Sequence, residues 1–196
     1  MQRISALYDN YDDARSAVNA LEDAGIATSN LSIVGRHDNE SRAGEGAAAG
    51  AGVGAVVGGA GGLLAGLGML AIPGVGPVVA AGWLASTAAG AAAGAVAGGA
   101  AGGIIGSLTS AGVEEADAHV YAEGVRRGGT LVTADVEEGQ ADLASSILDG
   151  SGPVDLAKRR DMYEAEGWTA FDESAPTLTD EELARERERA RTYRQM

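Results

Sequence analysis

Two histidines, His37 and His119, are the side chains best suited to move protons near neutral pH. Neither stands in a pattern with a nucleophile and an orienting acid: His37 falls in the polar stretch HDNESRAGEG, and His119 in a helix-forming one. Glu114, Glu115 and Asp117 could touch a cation, yet acids at a helix start match the helix dipole without any metal. GLGMLA, Gly66 to Ala71, fits a relaxed dinucleotide fingerprint by letters, but no strand pattern precedes it and no acid lies about twenty residues on. The neutral middle of the chain holds no lysine, so a phosphate-binding P-loop is excluded there. The absence of cysteine removes disulfides and thiolate metal sites. The expectation is a protein that is not an enzyme, with no catalytic, cofactor-binding or metal-binding residue and no small-molecule substrate.

The spacing that does carry information belongs to glycine. Gly46, Gly50, Gly54, Gly58, Gly62 and Gly66 keep a four-residue beat, and Gly82, Gly90, Gly94, Gly98, Gly102 and Gly106 continue it, with Ser86 and Ser110 in register. Such an interval has meaning on a helix, where it lines small residues into a stripe along which two backbones approach closely. Between the two runs, Pro73, Gly74, Gly76 and Pro77 form a tight reversal. The simplest reading is an antiparallel helical hairpin with arms over residues 47–71 and 78–110. At 1.5 Å per residue the arms are roughly 37 and 50 Å long, each beyond the ~30 Å hydrocarbon core of a bilayer. Trp83, near the turn, reads as an interfacial anchor or as packing within the bundle.

Charge supports an insert of this kind. The net charge is −14, which removes nucleic acid as a general partner. From Gly46 to Val113 there is no charged residue or histidine, and these 68 positions hold 21 of the 31 glycines. The flanks carry all the charge and read as folded sequence.

Around the insert the elements alternate. Ile4 to Tyr8 predicts a strand; Asp9 or Asn10 caps a helix with Ala14, Val18 and Leu21 on one face, stopped at Gly25; Asn30 to Arg36 predicts a second strand. After the insert come a helix from VEEADAHVYAEGVRR, a strand with Leu131, Thr133 and Asp135 alternating against Val132, Ala134 and Val136, and a helix with Leu143, Ile147 and Leu148 on one side. The fold class is α+β: a small βαβ–αβ sandwich, a ferredoxin-like variant, interrupted by the long Gly/Ala-rich helical hairpin. The predicted organisation is residues 1–42 and 113–150 as two halves of one domain, 43–112 as the insert, and 151–196 as a C-terminal extension. Thr179 and Glu182 make a capping box for a terminal helix over 180–194, whose few apolar residues and Glu-before-Arg spacing suggest a solvated rod. The N-terminus MQRISALYDN lacks a signal-peptide pattern.

ISALYDNYDDARSAVNALEDAGIATSNLSIVGR and LTSAGVEEADAHVYAEGVRRGGTLVTADV resemble the bacterial general stress protein domain of the YflT (heat-induced, 17M-like) type, and GMLAIPGVGPVVAAGWLA resembles the glycine-zipper hairpin of its longer members. The resemblance implies stress-linked expression and membrane association, with no catalytic residues to carry over. The resulting expectation is a membrane-associated stress protein whose hairpin forms a homo-oligomer in membrane lipid, with the soluble domain and both termini in the cytosol. A pore built by zipper packing, or a soluble cytoplasmic assembly with the hairpins buried inside, is the alternative.

Overall fold

The computed structural model describes residues 1–36, 68–72, 74–83 and 104–194. Strand β1 (Gln2–Tyr8) leads into helix α1 (Tyr11–Asp23), and β2 (Leu31–Gly35) returns beneath it. A hairpin of β3 (Gly68–Ile72) and β4 (Gly76–Gly82) follows. Helices α2 (Ile104–Ser110) and α3 (Glu115–Arg126), strand β5 (Thr130–Val136) and helix α4 (Ala141–Gly150) come next. Helices α5 (Leu156–Glu164) and α6 (Asp180–Arg194) make up the C-terminal arm. The five strands form one sheet in the order β1-β5-β2-β4-β3, with every pair antiparallel. Hence β1 and β2 run parallel to each other with β5 between them.

Local chemistry explains the elements. Asn10 starts α1 by accepting from the Asp13 amide at 2.8 Å, and Asp12 and Asp13 sit where the helix dipole favours them. Ala14, Ala17, Val18 and Leu21 then bury one stripe against the sheet. Strand alternation divides the sheet into two faces. Val132, Ala134 and Val136 join Ile33, Leu31 and Tyr8 in the core shared with α1 and α4, while Leu131 joins Leu7, Val34, Val78 and Ala80 in the core shared with α2 and α3. In α4 the buried positions are Ala141, Ala144 and Leu148; Leu143, expected on the core face, is 48% exposed. The outer edge of β1 is blunted: the Tyr121 hydroxyl donates to the Ser5 carbonyl at 3.1 Å, and the Val154 amide donates to the Leu7 carbonyl at 2.7 Å.

The α+β class holds, and the helical hairpin needs correction. The stretch that was to end one arm and begin the other is β3 and β4, with Ile72 opposite Gly76 and β4 paired to β2 from Ser32↔Gly82 to Gly35↔Val79. Residues 68–71 and 78–82 of the expected helices are therefore strand, while Ile104–Ser110 of the second arm is helix. The physical reason lies in side chains. The glycine beat lapses at Leu70 and Val78, and Ile72, Val75, Val78 and Val79 all bury, Val75 and Val78 completely. A β-branched run with a Gly-rich reversal gains sheet pairing and core burial that a helix would forfeit. The remainder of both arms lies outside the described residues. Among the described residues no helix is long and apolar enough to cross a membrane.

Candidate functional site

Of the expected helix-packing glycines, Gly46, Gly50, Gly54, Gly58, Gly62, Gly66, Gly90, Gly94, Gly98 and Gly102 lie outside the described residues, as does Pro73. The structure places Gly82 at the end of β4 with φ +87, where a Cβ would collide with the Leu31 carbonyl, and Gly106 within α2. Gly74 turns the β3–β4 hairpin at φ +73, Gly76 opens β4, and Pro77 stands opposite Ala71. Trp83 is half-buried on the α2–α3 face with the Arg3 guanidinium 4.3 Å from its ring centroid. Arg3 is fixed in turn by the Asp135 carboxylate at 2.7 Å and the Ala111 carbonyl at 2.6 Å. The candidate chemical groups are drawn apart: Asp117 pairs with Arg160 of α5, and His119 Nδ1 accepts from the Phe171 amide at 3.2 Å. His37 lies outside the described residues.

Among the described residues, the densest array of charge lies where the C-terminal arm meets the domain. Arg127, just past α3, donates to Glu123 at 2.6 Å, to Glu166 at 2.7 Å and to Glu186 at 2.9 Å, and lies 4.2 Å over the Tyr163 ring. Glu123 is 1% exposed and is shared with Arg126. Burial alone would pull the Arg127 guanidinium down; the Glu166, Glu123 and Glu186 carboxylates outweigh it and hold it above the ordinary arginine range. Asp9, at the end of β1, receives Arg159 at 2.5 Å and Arg194 at 2.8 Å, while Arg189 bridges Glu166 and Glu186. Burial raises the Tyr163 hydroxyl above its usual range against the opposing charges of Arg159 and Arg127. The cavity among Asp9, Arg127, Arg159, Tyr163, Glu186 and Arg187 measures about 10 Å³. That is room for roughly one water molecule and too small for an organic substrate. The array is built to hold two parts of the chain together.

This docking corrects the solvated rod expected for α6. The capping box is present, with Thr179 N–H donating to Glu182 at 2.8 Å and Glu182 N–H donating to Thr179 Oγ1 at 3.3 Å, but the helix beyond it is anchored. Leu183 is 1% exposed and packs toward Gly128, and Ala190, two turns on, is 5% exposed. Their i,i+7 spacing was the available sign of a buried stripe, masked by the number of charged residues around it. Between α5 and α6 the chain crosses the end of the β3–β4 hairpin. Phe171, the single phenylalanine, buries in the cluster that holds Ile72, Val75 and Val78.

No curated protein and no solved structure matches the chain. Residues 3–71, from β1 through most of β3, match the family model of the heat induced stress protein YflT domain.

Proposed function

We propose that this is a non-enzymatic stress protein that works by assembling with copies of itself. In this reading a folded α+β platform holds two Gly/Ala spans, residues 37–67 and 84–103, for packing between copies. The YflT-domain match supports a general stress protein role. One observation carries the mechanical part: β3 and β4 are built into the sheet between the two spans. Each span is thereby tied at both ends to one core, by Arg36 and Gly68 in the first case and by Trp83 and Ile104 in the second. The four-residue glycine beat inside them suits close backbone packing between copies. Among the described residues, the arm cavity holds about one water and His119 is engaged by main chain, so neither place supplies a substrate site that competes with the non-enzymatic reading.

Membrane association is the second reading, favoured by the long uncharged stretch. The 74–76 reversal packs on the core with Val75 fully buried, so it is not the tip of a membrane hairpin. A passage across a bilayer and back takes about 40 residues, against 31 in one span and 20 in the other. Lipid contact would then be shallow, at the cytosolic face, and a pore would need a different arrangement of the platform.

Size measurement of purified protein by light scattering tests the proposal. Replacing Gly54, Gly58, Gly94 and Gly98 by Leu should break the assembly while far-UV circular dichroism is kept. An unchanged mass would remove glycine packing from the account. Carbonate washing separates the second reading: retention in the membrane pellet would favour an inserted form over a soluble assembly, and dye release from vesicles would favour a pore.

A further inference from the structure

We infer that residues 171–178 form a proton-sensitive clasp that holds the β3–β4 hairpin on the core, with His119 as its sensor. The inference rests on contacts among described residues and is independent of the assembly reading.

The Phe171 amide donates to His119 Nδ1 at 3.2 Å. A ring nitrogen that accepts a hydrogen bond carries no proton, so the clasped form needs a neutral imidazole with its proton on Nε2. The neighbouring contacts link that bond to the hairpin. The Phe171 side chain lies in the core cluster of Ile72, Val75 and Val78. A Cβ on Gly74 would stand 2.7 Å from the Asp172 carbonyl oxygen and 2.9 Å from Glu173 Cα, so the strap's backbone lies directly over the turn. Farther along, the Pro176 carbonyl accepts from Arg126 at 3.4 Å and the Leu178 carbonyl from Arg36 at 3.1 Å. The strap is thus held by three main-chain hydrogen bonds and one aromatic plug. Of these partners the imidazole is the one side chain of a type that can gain a proton in the mildly acid range, the others being arginines.

Protonation puts an N–H on Nδ1 facing the N–H of Phe171. The bond is lost and two donors oppose each other at a half-buried site. The charged groups flanking His119 belong to two elements and to the strap. On α3, Glu115 and Glu123 stand one turn to either side, Glu123 already held by Arg126 and Arg127. Asp117 is held by Arg160 of α5. On the strap, Asp172 accepts from both the amide and the hydroxyl of Ser174, and Glu173 follows it. The β3–β4 hairpin brings no charge. Carboxylates ordinarily titrate near pH 4, about two units below histidine, so a mildly acid window isolates the imidazole.

Hydrogen exchange on the full-length chain, corrected for intrinsic rate, tests this at about pH 7.5 and about pH 5.5. At the lower pH, exchange over 168–179 and 74–82 should rise roughly tenfold, as expected for a lost bond plus donor repulsion. The α1 segment should not change. In His119→Asn, Oδ1 takes the place of Nδ1 and accepts without titrating, so the pH response should vanish. In His119→Ala the strap should exchange fast at both pH values. Equal exchange of the wild-type strap at the two pH values would overturn the inference. So would a full response in His119→Asn, which would place the sensor among the carboxylates.

Discussion

Buried tyrosines give the core its most direct pH signature. Tyr121 lies against the sheet and donates to the Ser5 carbonyl, and burial first, then the Asp117 charge, pushes its hydroxyl up to about 12. In the unfolded chain the same group ionises near pH 10, so above that value the folded state retains a proton the unfolded state has lost. The stabilisation is complete below pH 10 and disappears as pH rises through about 12, a fall of about 2–3 kcal/mol. Tyr121→Phe should cost about 1 kcal/mol at neutral pH through the lost bond at the β1 edge. It should also lessen the alkaline fall, which urea unfolding at neutral and alkaline pH measures. Equal alkaline losses in both proteins would assign the effect to the other buried tyrosines, Tyr8 and Tyr163, which burial also raises. The arm obeys the same physics with charges in place of hydroxyls: Arg127 compensates the buried Glu123 and at the same time grips Glu166 and Glu186 of the arm.

At the scale of elements, the β3–β4 hairpin and the arm depend on each other at Gly74. Its φ of +73 disfavours any side chain, and the Asp172 and Glu173 backbone leaves no room for one. Gly74→Ala should therefore destabilise by about 1–3 kcal/mol and displace the strap, with the loss reduced when the chain is cut before the strap. A cost unchanged by that cut would leave φ strain as the whole effect. This dependence also shows where sequence reading stopped. Alternation in β5 and the Asn10 cap of α1 are local patterns, and both could be read from consecutive residues. The strand character of 76–82 is non-local: β4 pairs with β2, about forty residues upstream, and in turn carries β3 as the sheet edge, while Val75 between them buries beneath the arm. A four-residue glycine beat on both sides carried the helical reading across a gap where Leu70 and Val78 break it. Docking of α6 was hidden likewise, because Leu183 and Ala190 are two small anchors among many charges whose partners lie on other elements.

The molecule as a whole is a sheet sandwich from which two Gly/Ala spans depart and to which both return. Trp83 and Ile104, the described ends of the second span, pack on one core cluster, so the platform has no need of the intervening residues to bring these ends together. Loop closure depends only logarithmically on length, about 0.6 kcal/mol per doubling. Replacing residues 84–103 by about ten Gly/Ser residues, which reach up to roughly 33 Å when extended, should change stability by no more than about 1 kcal/mol. The urea slope should stay nearly the same, because the surface exposed on unfolding is that of the sandwich. Assembly, in contrast, should fall as it does in the leucine variants, since Gly90, Gly94, Gly98 and Gly102 of the glycine beat are gone. A large drop in both stability and urea slope would mean that the span is core rather than appendage, and the division of labour between platform and spans would have to be abandoned.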